Sequence, residues 1–244
     1  GAWIEISSEV IQEFNNLSKK EQREYKTVDD YLKSNYFISN GKNTTADTYR
    51  VSIGRYKTSR FNRVHKPIIQ EYVDKAPLPP SDVKPICFLF GGGSASGKTT
   101  VAKSIAEPIM NDNGMTLVTV DCDEIKSKIP EFELMDAEDS DTSVFRVHRE
   151  SSDITNEIID SLIENGKCFA YDGCMGDYNK YSGIIDKLRE KNYDVHVIGV
   201  DVPTDLAVER ASKRERKVFE PIIRKAHKDF SENFLEVAAL ADSF

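Results

Sequence analysis

From residue 85 onward, short apolar runs alternate with longer stretches in which apolar residues recur every three or four positions. The runs at 86–90, 116–121, 168–172 and 195–201 read as buried strands. The stretches at 98–110, 147–164, 179–191, 204–214 and 221–241 read as helices. In 147–164 the apolar set is Ile154, Ile158, Ile159, Leu162 and Ile163, and Asn165-Gly166 supplies the stop signal. In 221–241 the stripe is Ile223, Ala226, Phe230, Phe234 and Val237, and His227 beside it reads as structural or as a minor ligand contact. Strand and helix alternating at these lengths predict an α/β fold, a parallel sheet with helices on both faces.

The pattern before residue 77 differs. Val10, Ile11, Phe14 and Leu17 suggest a helix, Thr27 caps a short one carrying Val28, Tyr31 and Leu32, and the polar stretch Asn40–Asp47 reads as a loop. Phe61, Val64, Ile68 and Tyr72 suggest a further helix, with Pro67 tolerated only near its first turns. Prolines in Ala76-Pro77-Leu78-Pro79-Pro80-Ser81 stiffen an extended connector. The expected organisation is a small helical accessory region at 1–76, a linker at 77–84 and the α/β domain at 85–244.

One stretch carries most of the chemistry. Gly92-Gly93-Ser94-Ala95-Ser96-Gly97-Lys98-Thr99 matches G-x-x-x-x-G-K-[ST] and is followed by Thr100. The strand expected before it and the helix after it (Val101, Ala102, Ile105, Ala106 and Ile109) are the context this P-loop needs. Glycines let backbone N–H groups turn inward around an anion, and the helix start adds its dipole. Lys98 is placed to reach the outer phosphates of a nucleoside triphosphate, ATP or GTP, and Thr99 to hold Mg²⁺.

In sheets of this kind ligands sit beyond the carboxyl ends of the strands. After the second strand comes Asp121-Cys122-Asp123-Glu124. An Asp there can take a proton from an attacking hydroxyl or hold Mg²⁺ through water; it can equally cap a helix starting near Glu124. Both readings stand for Asp121 and Asp123. After the third strand comes Asp172-Gly173, where Asp172 either supports the metal beside Thr99 or opens a turn. His148-Arg149-Glu150-Ser151-Ser152-Asp153 reads as a polar helix start. Near the end, Arg210, Lys213, Arg214, Arg216 and Lys217 crowd an otherwise acidic chain. Some of this is i,i+4 pairing, such as Glu209 with Lys213. The density of arginines favours a lid in which Arg210 and Arg216 answer charge on a transferring phosphoryl group, with Arg214 in reserve.

A net charge of −8 argues against a general nucleic-acid or acidic-membrane binder, and no run is apolar enough to cross a bilayer. Cys87, Cys122, Cys168 and Cys174 form no CxxC pair and read as reduced thiols of a cytoplasmic-type environment, without zinc.

From about Phe61 to the C-terminus, the ordered set resembles the zeta toxin family of P-loop small-molecule kinases. The set comprises Gly91–Thr99, Val120-Asp121-Cys122-Asp123-Glu124-Ile125-Lys126 with Pro130, Val147–Ile154, Tyr171-Asp172-Gly173, Val200-Asp201-Val202-Pro203-Thr204, and the helix from Arg216 to His227. The resemblance implies phosphorylation of a nucleotide sugar, typically the 3′-hydroxyl of UDP-N-acetylglucosamine, by ATP or GTP, and a small helical antitoxin as partner. It implies that Lys98 and Thr99 hold phosphate and Mg²⁺, and that Asp121 is the general base with Asp123 a close second. Asp172 falls beside the metal and substrate, Arg210 and Arg216 in the lid, and Glu150 and Arg214 among candidate substrate contacts. The chain departs from the family pattern in a short 210–216 lid and in Cys174, where a hydroxyl residue is usual. Two other readings are a kinase of another metabolite, such as a dinucleotide, and a nucleotide-binding interaction module without transfer.

Overall fold

The computed structural model describes residues 44–138, 140–213 and 220–244. The helices expected at Val10–Leu17 and after Thr27 lie outside these residues, as do Arg214 and Arg216. The described chain begins with α1 (Thr45–Tyr49) and a hairpin of β1 (Arg50–Ser52) and β2 (Arg55–Tyr56). Part of the expected 40–47 loop is therefore helical. The reason is a capping box: Asp47 N–H donates to Thr44 Oγ1 (3.1 Å) while the Asp47 carboxylate accepts from Thr44 N–H (3.3 Å). Next, α2 (Thr58–Arg60) runs through a π-helical stretch, Phe61–His65, into α3 (Lys66–Lys75). Pro67 falls in the first turn of α3, where its missing N–H costs least.

The core elements follow in order: β3 (Ile86–Gly91), α4 (Lys98–Asp112), β4 (Thr119–Asp121), α5 (Cys122–Lys128), α6 (Phe132–Glu138) and α7 (Ser140–Glu164). Then come β5 (Phe169–Asp172), α8 (Tyr178–Glu190), β6 (Asp194–Gly199), α9 (Thr204–Ser212) and α10 (Glu220–Ala238). The strands form one parallel sheet in the order β4-β5-β3-β6.

Alternation along the strands divides the core. Cys87, Leu89, Phe169 and Tyr171 face a cluster built with α3, α7, α8 and α10, whereas Phe88, Phe90, Cys168 and Ala170 face α4 through Ala102, Ala106 and Met110. Helices thus cover both faces, as the apolar strands require. Val64, Ile68, Tyr72 and Ala76 belong to the first cluster, so the helix before the proline connector shares its core with α7. Residues 77–84 contain no helix or strand, and the Pro77 carbonyl accepts from Cys168 N–H at 2.8 Å.

Two differences from the sequence reading bear on the site. The helix expected at 147–164 starts at Ser140, so His148–Asp153 lies within it and is not its cap. Side-chain bonds to α6 accompany the added turns: Ser143 Oγ donates to Asp136 (2.6 Å) and Arg146 pairs with Glu138 (2.8 Å). The strand expected at 116–121 contracts to Thr119–Asp121, and two short helices, α5 and α6, fill the stretch after it. All four cysteines are free thiols. No helix among the described residues is long and apolar enough to cross a membrane.

Candidate active site

The loop between β3 and α4 is shaped by its glycines. Gly92 has φ +151°, and a Cβ there would stand 2.5 Å from the Val200 carbonyl oxygen, so only glycine fits. Gly97, at φ +85°, opens α4, whose first residue is Lys98. The loop thereby faces the N-terminus of a 15-residue helix, where unpaired N–H groups and the dipole favour an anion.

Sheet register lines up the carboxylates beside this loop. Asp172 on β5 pairs in register with Phe90 of β3 and with Asp121 of β4. Lys98 Nζ lies 2.9 Å from Asp172 Oδ1, and the Thr99 hydroxyl donates to Asp172 Oδ2 at 2.5 Å. Burial works against the Lys98 charge, but Asp172 outweighs it and holds the ammonium pKa above its ordinary value. Beyond its contact with Lys98, the buried Oδ1 of Asp172 accepts no hydrogen bond from the described residues. A hydroxyl and a carboxylate therefore converge beside the phosphate loop. Mg²⁺ takes such a donor set when phosphate oxygens and water complete the shell, so these residues fit the ion.

Asp121 does two things at once. Its Oδ1 accepts from Asp123 N–H (2.8 Å) and caps α5, and the residue also lines the cleft beside Lys98. Burial pushes its carboxyl pKa up, and the nearby Asp123 and Asp172 charges add to that against Lys98 and the Asp123 N–H. Asp123 is exposed and ion-paired to Lys126 at 2.5 Å. Partial desolvation in the cleft opposes ionisation there, but the Lys126 ammonium prevails and lowers its pKa.

The cleft has a volume of about 340 Å³. Lys98, Asp121 and Asp172 stand along it, with Ser152 and Thr155 from α7 and Tyr171, Lys180 and Tyr181 on another side. The profile of the zeta toxin family matches residues 69–242. The chain belongs to the zeta toxin family. Its fold is similar to a structure from the PezAT chromosomal toxin–antitoxin system of Streptococcus pneumoniae, at 20% identity over 78% of this chain and 77% of that one, with a TM-score of 0.62. It is also similar to AvrRxo1-ORF1:-ORF2 with ATP (16% identity, 80% of this chain and 68% of that one, TM-score 0.59) and to the same pair with sulphate ions (18%, 80% and 68%, 0.60). No curated protein matches the chain by sequence.

Within this zeta toxin fold, Gly92, Gly93, Ser94, Ala95, Ser96 and Gly97 form the loop, and Lys98, Thr99 and Thr100 begin α4. Arg210 on α9 reaches the loop through Nη1, 3.4 Å from the Ser96 carbonyl. Glu150 is a correction. It is fully buried, and Arg60 takes both its oxygens (Nε to Oε1 2.7 Å, Nη2 to Oε2 2.9 Å) while His65 Nε2 meets Oε1 at 3.0 Å. Its side chain lies in a network beneath α2 and the π-helical stretch, outside the cleft lining. Mid-helix placement turns it away from its neighbours: Ser152 and Thr155 face the cleft, whereas Glu150 and Glu157 face the N-terminal elements.

Sequence reasoning passed over Lys180 and Tyr181, and quoted Tyr171 without giving it a role. Lys180 Nζ donates to the Tyr171 hydroxyl at 2.9 Å, and Tyr181 accepts from Met175 N–H at 3.1 Å. Their signal was position alone: Tyr171 precedes the strand-end Asp, and Lys180 and Tyr181 fall in the first turn after it.

Proposed function

We propose that this zeta toxin family member is an ATP- or GTP-dependent phosphotransferase acting on a hydroxyl of a nucleotide sugar, most specifically the 3′-hydroxyl of UDP-N-acetylglucosamine. The observation that carries the reading is that Asp121, Asp172 and Lys98 line one cleft, with the Thr99 hydroxyl bonded to Asp172. In this reading the loop from Gly92 to Thr100 cradles the phosphates, and Lys98 leaves Asp172 to meet the outer ones. Thr99 and Asp172 hold Mg²⁺, which supplies charge neutralisation on the phosphate oxygens. Asp121 accepts the proton of the acceptor hydroxyl as its oxygen bonds the γ-phosphorus and the bond to the nucleoside diphosphate breaks. The raised pKa of Asp121 suits a base that must return its proton. Arg210 and Arg216 supply cationic contacts to the transferring group, and Arg214 remains a substrate candidate. The similar folds come from a toxin–antitoxin system and from the AvrRxo1-ORF1:-ORF2 pair. That supports an antitoxin protein as partner, covering the nucleotide site.

The test is a phosphotransfer screen with purified protein, Mg²⁺ and ATP or GTP. Acceptors are UDP-N-acetylglucosamine, dinucleotides or none, with products read by mass spectrometry. One added phosphate on the sugar nucleotide, lost in Lys98→Ala, is the expected result. Transfer to another acceptor alone would overturn the substrate assignment while keeping the chemistry.

A further inference from the structure

Helix α10 meets the sheet and the phosphate loop through glycines. Along one face it presents His227, Phe230 and Phe234, at i, i+3 and i+7. A Cβ on Gly93 would stand 2.2 Å from the His227 ring, one on Gly91 2.9 Å from Phe230, and one on Gly199 2.3 Å from Phe234. Gly91 and Gly199 end β3 and β6, and Gly93 lies in the loop itself. The helix is therefore seated at the carboxyl edge of the sheet closely enough to touch loop backbone.

There it makes a directed contact. His227 is 2% exposed, and its Nε2 lies 3.0 Å from the Ser94 carbonyl oxygen. A carbonyl only accepts, so Nε2 carries the proton and donates. The other ring nitrogen, Nδ1, is buried and has no hydrogen-bond partner among the described residues. The imidazole is thus held by one hydrogen bond, and that bond ends on the phosphate loop. Fixing the Ser94 carbonyl outward constrains the peptides that follow it, whose N–H groups must converge on an anion.

We infer that His227 is a positioning residue for nucleotide binding: from α10 it holds the Gly93–Gly97 backbone in the anion-receiving shape before the nucleotide arrives. The inference rests on the reading that this loop receives nucleotide phosphates. Preorganisation of this kind acts on affinity, because the loop does not have to be ordered at the moment of binding.

The test compares His227→Leu and His227→Gln. Both fill the slot over Gly93, but only glutamine can donate to Ser94. Binding of ATP is measured by calorimetry, and amide hydrogen exchange is followed in the nucleotide-free protein. His227→Leu should raise the ATP dissociation constant roughly tenfold, the scale of a buried carbonyl left without its donor. It should speed exchange in residues 93–97 while β3 and the later turns of α4 keep their protection. His227→Gln should recover most of both. In turnover, the loss should appear in KM for the nucleotide and much less in kcat. Unchanged affinity and exchange in His227→Leu would overturn the inference, as would His227→Gln behaving like the leucine variant. Should His227→Leu not fold, His227→Ala, which empties the slot, takes its place in the same comparison. Lys98→Ala separates the two readings: binding indifferent to Lys98 fails the nucleotide assignment, whereas loop exchange without nucleotide still tests His227.

Discussion

Two clusters of buried charge lie along α7, and they differ in how completely their charges are answered. On one side, Glu150 sits at zero exposure with Arg60 and His65; Arg60 also forks onto Glu131 (2.7 Å at both oxygens) and lies 4.0 Å from the Tyr49 ring centroid. Both nitrogens of His65 meet carboxylates, Glu150 at 3.0 Å and Glu157 at 2.9 Å. On the other side, Lys98, Asp172 and Asp121 border an open cleft, Asp172 Oδ1 is met among the described residues by the Lys98 ammonium alone, and Asp121 is pushed toward its neutral form. The first cluster is saturated by its own members and ties α2 and the π-helical stretch to α7. The second faces an open cleft, with Lys98 and Thr99 both paired to Asp172. Buried charge alone marks neither structure nor function; the difference lies in what still lacks a partner.

Substitutions on the cleft side should sharpen that contrast most. Lys98→Ala removes the cation proposed to answer phosphate charge, and phosphotransfer should fall about 10³-fold or more, read as product per hour by mass spectrometry. Thermal stability should change little by comparison, since Lys98 is only one partner of Asp172. Asp121→Asn should lower kcat about 10²- to 10⁴-fold, the range for losing a general base. Its carboxyl pKa is raised, so in the wild type the acid limb of the rate profile should sit above the ordinary Asp value of 3.8. Activity there rises with pH as Asp121 ionises.

How much of this was legible beforehand follows the same division. The loop, the strand ends and the parallel sheet could be read because local pattern fixes them: a glycine motif, period-two burial and an Asp closing β4 and β5. Asp172 and Asp121 became neighbours through register, which strand-end position foreshadowed. Glu150 was misplaced because its helix begins at Ser140, eight residues before the polar cluster that looked like a cap. A helix start leaves polar groups exposed, whereas a helix interior sorts them by face, and here the partners Arg60 and His65 stand 90 and 85 residues away. His227 could be read only as structural or as a minor ligand contact for a related reason: its partner is a backbone carbonyl 133 residues earlier, which no side-chain pattern records.

On the saturated side, Glu150→Ala should leave Arg60 and His65 buried with one partner fewer and cost about 3–5 kcal/mol of stability by denaturant unfolding. Turnover per folded molecule should stay near wild type, since Glu150 is outside the cleft. A selective loss of kcat with stability intact would return Glu150 to the substrate contacts and dissolve the contrast between the clusters. The pH dependence is a milder probe of the same network. Burial opposes the His65 charge, but Glu150 and Glu157 outweigh it and raise its pKa above 6.5, so its contribution is complete below 6.5 and lost as pH rises through the raised value. Burial likewise opposes the Glu150 charge, but His65 and Arg60 outweigh it and hold the carboxyl down to about 2 from 4.5; that contribution is present above 4.5 and lost as pH falls toward 2. The melting temperature should therefore peak between these limits; His65→Gln should flatten the alkaline side and, because His65 helps hold the Glu150 carboxyl down, soften the acid side as well.

The smallest effect should come from Asp123, two residues from the proposed base Asp121 and its nearest rival for the role. Both carboxylates line the cleft, but they are held differently. Asp121 is half-buried at a strand end, whereas Asp123 is exposed and neutralised by Lys126 in its own helix. An exposed carboxylate with a lowered pKa is a poor proton acceptor, because the charge that stabilises it also weakens it as a base. Asp123→Asn should keep the main chain N–H that Asp121 accepts, and so keep the cap of α5. Turnover should fall less than about fivefold, the melting temperature should hardly move, and the acid limb of the rate profile should stay in place. If Asp123→Asn instead abolished transfer while Asp121→Asn left it, the base would be the carboxylate with the lowered pKa. The state of burial at the strand end would then have misled the assignment of chemistry.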